Sequence, residues 1–328
     1  MTVYIVRKLG AAVVSFAVLL VIGFAIFTLM PSDPVAALTR GRPVGAAQLR
    51  VLTAQLGLGQ PVQARFAAFA AHAVTGNLGY SWQFQEPVST LIGQRIGPTL
   101  LLTGTSMALA ATLGLWLGLH SGWRPDGPLD RVTSGVSLAF WSVPTFWLGL
   151  ILLVLLTSGA GPIPSLLPAG GMSTPGTPGG LAPSHILDVA RHLVLPCLTL
   201  TAVIIAQYVA IMRSSVIDEL GSPYLLTARA KGLRDAQVRN LHAAPNALLP
   251  ATTIVFLQLG GLVGGAITVE TVFSWPGLGY LTYQALQIPD LPLLEGTFLV
   301  FGASVIVMNA LADLSYKYLD PRLRRRRQ

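Results

Sequence analysis

The sequence predicts an all-α, polytopic membrane protein with six transmembrane helices and with both termini in the cytoplasm. Hydrophobic residues make up 52% of its 328 residues and charged residues only 10%, whereas a typical soluble domain carries about 25% charged residues. Six stretches reach the roughly 20 apolar residues that a helix needs to cross a bilayer. They are residues 9–30, 99–119, 133–158, 193–212, 251–273 and 296–316.

The first of these stretches could be confused with a secretory signal peptide, because Arg7 and Lys8 precede it. Its apolar run exceeds the roughly 7–15 residues of a signal core, and PSDP at 31–34 does not resemble a small-residue cleavage site. We therefore expect a retained span.

A long outer segment, residues 31–95, follows the first span. Leu49, Leu52, Leu56, Phe66 and Phe69 recur in it at helical spacing. This pattern predicts a helix within 46–73 that rests on the outer membrane surface. A second outer segment, 159–184, is rich in glycine and proline and is expected to be an irregular loop.

The distribution of lysine and arginine predicts the orientation. With a cytoplasmic N-terminus, 15 of the 21 basic residues lie inside. Five of the other six lie in the long segment 31–95, and long loops carry little weight in this rule. Both termini are therefore expected inside. The run Arg324–Arg327 suits an anionic inner leaflet.

The loop 213–250 between the fourth and fifth spans contains a short stretch with helix-capping signals, YLLTARAKGL at 224–233. Ser222 suits an N-cap, Pro223 the first helical position and Gly232 the left-handed residue after a helix end. Arg229 and Lys231 lie in the last turn, where cations complement the helix dipole. The spacing leaves two interpretations open: a helix that binds a partner, or one that lies on lipid headgroups.

Polar residues within the spans are few. Gln207, Tyr208 and Gln258 are candidates for lining a solute path, although hydrogen bonding between helices is the alternative for the two glutamines. The glycine-rich run LGGLVGGAI at 259–267 predicts close packing, either inside one bundle or at an interface that slides. After it, the Trp275-Pro276-Gly277 sequence predicts a turn with an aromatic side chain at the membrane interface.

Catalytic and metal-binding motifs are missing from the sequence. It contains no Walker A sequence, no GxSxG and no HExxH. The five histidines have no metal-ligand spacing; only His185 and His192, with Asp188 between them, share a loop. Cys197 is the only cysteine and lies in an apolar stretch, so no internal disulfide can form. We expect no catalytic residues, no metal site and no cofactor.

Several motifs in order resemble those of the dipeptide/oligopeptide/nickel permease family, the inner-membrane permease subunits of ABC importers. The chain resembles the branch that opens with one span and a long outer loop. The resemblance covers the whole chain as a single permease domain, 1–328. The motifs are PSDP (31–34), LGLGQP (56–61), GNLGYS (76–81), Arg95 with Pro98-Thr99, YLLTARAKGL (224–233), HAAPNALLP (242–250), VETVFSWPGLG (269–279) and LADLSYKYLDPRLR (311–324).

The resemblance implies a type I ABC importer permease fold and an inner-membrane location in a bacterium. It also implies that residues 224–233 form the coupling helix, which docks on a cytoplasmic ATPase. The helix comprises Tyr224, Leu225, Leu226, Thr227, Ala228, Arg229, Ala230, Lys231, Gly232 and Leu233. The sequence departs from the family's EAA motif at two positions: Leu226 takes the place of the glutamate and Thr227 that of the first alanine.

The partners that the resemblance implies are a second permease, two ATPase subunits that use ATP and Mg²⁺, and an outer solute-binding protein. The function it implies is ATP-driven uptake of di- or oligopeptides. Import of nickel chelates or heme is the alternative within this class. A proton-coupled secondary transporter and a membrane scaffold that transports nothing are the alternatives outside it.

Overall fold

The computed structural model describes residues 2–29, 45, 50, 60–157, 167–177, 179–259 and 267–319. Apart from one isolated bridge between Tyr80 and Pro87, the regular structure of these ranges is helical, which confirms the all-α class. The helices are α1 (Thr2–Leu29), α2 (Val62–Thr75), α3 (Val88–Trp123), α4 (Pro128–Ser142), α5 (Thr145–Thr157), α6 (Pro183–Leu220), α7 (Pro223–Ala230), α8 (Asp235–Gln237), a π-helical turn (Val238–Ala243), α9 (Ala244–Leu259), α10 (Ile267–Val272), α11 (Leu278–Gln287) and α12 (Leu291–Leu319).

Within the described ranges, four helices are long and apolar enough to cross a membrane: α1 from Val6, α3, α6 and α12 as far as Ala312. They contain or overlap four of the predicted spans. The 36 residues of α3 correspond to about 54 Å, more than the roughly 30 Å of a hydrocarbon core. The ends of α3 therefore project beyond the hydrocarbon. Arg95 and Pro98, which the sequence placed before the second span, lie inside this helix.

The third predicted span, 133–158, is not one continuous helix. Helices α4 and α5 meet at 100° and together form a fifth candidate span. The break lies at Val143, whose backbone is extended (φ −86°, ψ 128°). Pro144 follows, and a residue before proline disfavours the helical conformation because it collides with the proline ring.

The fifth predicted span, 251–273, is represented by α9 and α10. Residues 260–266, which include most of the glycine-rich run, lie outside the described part of the chain. The total of six spans therefore stays a prediction. The run Arg324–Arg327 also lies outside it.

Helices α3 and α6 run in parallel and pack closely through glycines of α3. A Cβ atom at Gly114 would lie 2.6 Å from Tyr208 Cβ, and one at Gly118 would lie 2.7 Å from Met212 Cβ. Both helices end at the same side, where α7 lies; we call this side the loop end and the other side the far end. Because two parallel helices need a return between them, α4 and α5 carry the chain from the loop end back to the far end.

The N-terminal end of α1 and the C-terminal end of α12 lie at the loop end. The two helices are antiparallel, with Phe27 against Phe298 (5.8 Å between ring centroids) and Leu19 against Gly302. Phe27 packs on a far-end cluster that contains Val88 and Leu293. Helix α1 therefore begins, and α12 ends, on the same side of the bundle as the loop 213–250; that this side is cytoplasmic stays a prediction.

The predicted helix of the outer segment corresponds in part to α2, which packs on α1. Phe24 contacts Phe66 and Phe69, with ring centroids 5.3 and 5.9 Å away. Gly76, at φ 72°, ends the helix. Residues 46–49 and 51–59 lie outside the described ranges, so the beginning of the predicted helix is untested.

The close approach of α3 and α6 predicts opposite effects for two substitutions on one helix. Gly118→Ala places a methyl group 2.7 Å from both Met212 Cβ and the Val209 carbonyl oxygen; overpacking of this kind costs about 1–3 kcal/mol. Gly104→Ala has no atom within 4 Å of the new methyl and is expected to stabilise by about 0.5–1 kcal/mol, because alanine is the better helix former. Unfolding of the purified variants in detergent measures both. Equal melting temperatures would contradict the packing.

Candidate functional site

The short helix α7 begins where its sequence predicts and ends earlier than predicted. Ser222 is the N-cap, Pro223 occupies the first turn, and Gly232 has a left-handed φ of 79°. The Ser222 hydroxyl donates to Glu219 Oε2 (3.1 Å) and makes no cap hydrogen bond to the helix. The helix ends at Ala230, so the predicted range 224–233 is too long: Lys231 is the C-cap, and Gly232 and Leu233 follow it.

One side of α7 is buried and the other is exposed. Leu225 is fully buried and Ala228 is 5% exposed, and both pack against a cluster that includes Met212, Val216 and Val238. On the opposite side, Leu226 is 60% exposed. The remaining exposed residues of the predicted site are Tyr224, Thr227, Arg229, Ala230, Lys231 and Gly232. The helix therefore presents a surface while its other side is held by the bundle.

The exposed loop end is basic and partly apolar. Arg234 is exposed and Arg239 half-buried in the turns that follow α7, and Leu241 is 65% exposed. Together with Arg229 and Lys231 these cations share the loop end with two large exposed apolar side chains, Leu226 and Leu241, and with the exposed carboxylate of Asp235. Such a surface is suited to a protein groove with acidic and apolar residues.

Trp123, the last residue of α3, contacts both α7 and α8. Its indole Nε1–H donates to Asp235 Oδ2 (2.7 Å). The Arg229 guanidinium lies over its ring, 5.5 Å from the centroid, and Arg229 Nη2 is 3.9 Å from Asp235 Oδ1. Trp123 has no local sequence signal for this role, because its partner Asp235 lies 112 residues away.

Hydrogen bonds also join α7 to α6, which precedes it in the sequence, and to α9, which follows it. The Tyr224 hydroxyl donates to Glu219 Oε2 near the end of α6. Asn246 Nδ2, in α9, donates to the Tyr224 hydroxyl (3.1 Å) and to the His242 carbonyl oxygen (3.0 Å). Three long helices, α3, α6 and α9, therefore contact this one short helix.

An ion pair joins α4 to α6 at the loop end. Arg213 Nε and Nη2 donate to the two carboxylate oxygens of Asp130, at 2.5 and 2.7 Å. The Asp126 backbone N–H (2.9 Å) and the Ser134 hydroxyl (3.3 Å) donate to the same carboxylate. The Asp130 side chain is 3% exposed and that of Arg213 32%. Removal of Arg213 would leave a buried carboxylate without its cation, which is destabilising. The two helices are thereby fixed to each other.

A second buried polar cluster lies at the far end, in the VETVFSWPGLG motif. Glu270 is fully buried; Oε1 accepts from the Thr99 hydroxyl (2.8 Å) and Oε2 from the Tyr280 backbone N–H (2.9 Å). Thr99 Oγ1 in turn accepts from the Leu278 backbone N–H (2.7 Å). Trp275 donates to the Pro98 carbonyl oxygen (2.9 Å) and is fully buried, so the prediction of an aromatic at the membrane interface is wrong.

The three predicted path residues have different environments. Gln258 Nε2 donates to Gln207 Oε1 across α9 and α6, as the interhelical alternative predicts. Tyr208 is fully buried against Gly114. A role in a solute path stays a prediction for all three residues.

His185 and His192 do not share a loop, contrary to the sequence prediction: with Asp188 they lie in the first turns of α6, which begins at Pro183. Asp188 holds the segment before this helix. Its carboxylate accepts from the Thr174 backbone N–H (2.6 Å) and hydroxyl (2.8 Å). Among the described residues, no group of three or more His, Cys, Asp or Glu side chains could hold a metal ion.

Comparison with known proteins covers nearly the whole chain. A family model described as binding-protein-dependent transport system inner membrane component matches residues 110–325, and the corresponding N-terminal model matches residues 1–103. A putative peptide permease protein of Brucella suis is 38% identical over 323 residues, 98% of each chain. A dipeptide transport system permease protein of Escherichia coli K12 is 32% identical over 336 residues, 99% of each chain. A glutathione transport system permease protein of Pectobacterium atrosepticum is 34% identical over 322 residues, 98% of each chain.

Proposed function

Because the chain belongs to the family of binding-protein-dependent transport system inner membrane components, and is thus a multi-pass inner-membrane protein, we propose that it is a permease subunit for di- or oligopeptides. Relatives named for peptides, dipeptides and glutathione, each matched over 98–99% of this chain, support a peptide substrate. None of these three names indicates nickel chelates or heme, so those alternatives are not favoured.

The proposed docking site for the ATPase is the exposed side of α7. The observation that carries this assignment is the one-sided burial of the helix: Leu225 and Ala228 are held in the bundle while Leu226, Arg229 and Lys231 are exposed. The position of the EAA-motif glutamate is taken by Leu226, so docking would depend on apolar contact and on basic side chains around it. Because one side of α7 is packed in the bundle, the helix could transmit a displacement to the bundle while it stays helical.

The proposed assembly contains a second, similar permease, two cytoplasmic ATPases and an outer solute-binding protein. ATP binding would close the ATPases and move α7 of each permease. Because α7 contacts α3, α6 and α9, this movement would reorient the spans and alternate access to the path between the two permeases. ATP hydrolysis by the ATPases would then reset the transporter. The domain would be the single permease unit 1–328, with its termini and the loop 213–250 in the cytoplasm.

Site-directed cross-linking tests the docking assignment. In a Cys197→Ala background, Leu226→Cys is expected to cross-link to the ATPase in inverted vesicles and to resist a membrane-impermeant maleimide added to intact spheroplasts. Leu286→Cys, in α11 at the far end, is a matched control because Leu286 is 53% exposed against 60% for Leu226. It is expected to show the opposite pattern. Labelling of Leu226→Cys from outside would contradict both the orientation and the docking site.

A further inference from the structure

We propose that Trp123 is a positioning residue that transmits the movement of α7 to α3, and through α3 to the turn 273–280 at the far end. The inference rests on the proposed docking of an ATPase on α7. It concerns how the movement leaves that helix once a partner has displaced it.

Trp123 is suited to this role because one side chain makes three different contacts. Its Nε1–H donates to Asp235, its face receives the Arg229 guanidinium, and its ring packs in the cluster that buries Leu225 and Ala228. Only 6% of the residue is exposed. A hydrogen bond to a carboxylate is stronger than a neutral one and is directional. Displacement of α7 therefore either displaces Trp123 or breaks the contact of its ring with Arg229, and through the Arg229–Asp235 pair it also acts on the hydrogen bond to Asp235 in α8.

The other contacts of α7 do not provide the same connection. Tyr224 is bonded to Glu219, five residues earlier in the chain, and to Asn246 in α9. Helix α6 is already joined to α7 by the short link at Gly221 and Ser222. Helix α3 has no such covalent link, so it depends on side-chain contacts. Leu115, Leu119 and Trp123 of α3 all pack on the cluster around Leu225, and Trp123 adds the contact with Arg229 and the hydrogen bond to Asp235.

Helix α3 can deliver the movement because it is packed against α6 along the loop-end half of its length. A Cβ atom added at Gly114, Gly118 or Gly122 would lie within 2.7 Å of an atom of α6. Interiors packed this closely move as units. The two helices are therefore expected to move together and not to slide past each other.

The far-end half of α3 is joined by hydrogen bonds to α10 and to the turn that follows it. Thr99 donates to Glu270 and accepts from the Leu278 N–H, and the Pro98 carbonyl oxygen accepts from Trp275. Thr99 lies 24 residues before Trp123, about 36 Å along the helix. The same helix thus contacts the docking helix at its last residue and, 24 residues earlier, a buried turn on the other side of the bundle. A spatial connection becomes a functional one only if the contact changes the coupling.

The test uses the complete transporter reconstituted in proteoliposomes with its binding protein. Trp123→Phe keeps an aromatic ring under Arg229 and removes the N–H that donates to Asp235. We expect ATP hydrolysis stimulated by the loaded binding protein to stay within about twofold, while peptide taken up per ATP falls about fivefold or more. Trp116→Phe is the matched control: Trp116 is on the same helix, is 56% exposed and stacks on His120. It is expected to leave the ratio unchanged.

A second variant removes the other partner of the bond. Asp235→Ala changes a residue whose side chain is 53% exposed, so folding is expected to tolerate it, and it should lower the ratio as Trp123→Phe does. The double variant should be no worse than either single one, because both remove the same interaction. The proposal would be overturned if the effects of the two substitutions multiplied in the double variant, if both single variants left the ratio unchanged, or if both lost the assembled complex.

The cross-link from Leu226→Cys separates this proposal from the one on which it rests. If the cross-link to the ATPase forms in the presence of Trp123→Phe and the ratio is unchanged, the role of Trp123 is wrong and the docking site stands. If the cross-link is absent from the otherwise unaltered chain, the docking assignment itself fails.

Discussion

Arg229→Glu is expected to abolish peptide uptake while the protein remains inserted in the membrane. The substitution reverses a charge at the centre of the basic surface on α7, beside Lys231 and Arg234. It also places a carboxylate within reach of Asp235, now 3.9 Å from the guanidinium, and removes the cation from the Trp123 ring. Like charges brought together at an interface cost several kcal/mol, and each 1.4 kcal/mol is about tenfold in affinity. We therefore expect uptake to fall by more than about tenfold.

Gly232→Asp tests the same surface without removing an existing contact. A Cβ at Gly232 meets no atom within 4 Å, so only the left-handed backbone, φ 79°, opposes the new side chain. Aspartate and asparagine tolerate this conformation better than other non-glycine residues. Gly232→Asn is therefore the matched control, since it has the same shape and no charge.

Uptake by these variants is measured in proteoliposomes with the ATPases and binding protein added, at matched amounts of inserted permease. Arg131→Glu, an exposed charge reversal in α4, controls for a general effect of charge at the loop end and should transport within about twofold of the unaltered protein. If Gly232→Asn were as defective as Gly232→Asp, backbone strain and not charge would be the cause. Normal transport by Arg229→Glu would remove the docking assignment.

The termini of α7 could be predicted from sequence because the signals for them are local. Ser222, Pro223 and Gly232 each specify a backbone conformation from their own chemistry, and the structure has those conformations. The exact C-terminal residue of α7 could not be predicted, since the same pattern permits a helix that stops at Ala230 or one that runs one turn further. Local signals locate a helix to within a few residues.

Long-range contacts account for most of what the sequence did not reveal. In the sequence, Trp123 is an aromatic residue at the end of a span, and Asp130 and Arg213 are two charged residues with no local sign of a partner. Their partners, Asp235 for Trp123 and Arg213 for Asp130, lie 112 and 83 residues away. The bend between α4 and α5 did have a local signal, Pro144, which the apolar run 133–158 obscured because hydropathy measures composition and not direction.

Glu270→Ala is expected to have the largest effect on stability, because it leaves two donors without their acceptor. Glu270 is fully buried, and its carboxyl group accepts from the Thr99 hydroxyl and from the Tyr280 N–H at the beginning of α11. A buried donor without a partner costs about 1–3 kcal/mol, so the loss of this acceptor is expected to destabilise the far end by about 3 kcal/mol or more. Thr99→Val should cost less, about 1–3 kcal/mol, because it leaves the Leu278 N–H as the single new unpartnered donor.

Two controls separate the hydrogen bonds from the space that Glu270 occupies. Glu270→Gln keeps the shape and one oxygen acceptor, so it should be less damaging than alanine, although its amide group adds donors close to the Tyr280 N–H. Glu86→Ala removes an exposed carboxylate of the same type, and the unfolding midpoint should not change. Thermal unfolding in detergent and protease cleavage near residue 277 report the effect. The turn at Gly277 packs directly on the Glu270 carboxyl group, since a Cβ atom added at Gly277 would lie 2.4 Å from it. Loss of this carboxyl group leaves a space into which the turn can relax, so this turn should become accessible to protease first. Resistance of the turn in Glu270→Ala would mean that α11 is held by its apolar packing against Val88 and Leu293 and not by this carboxyl group.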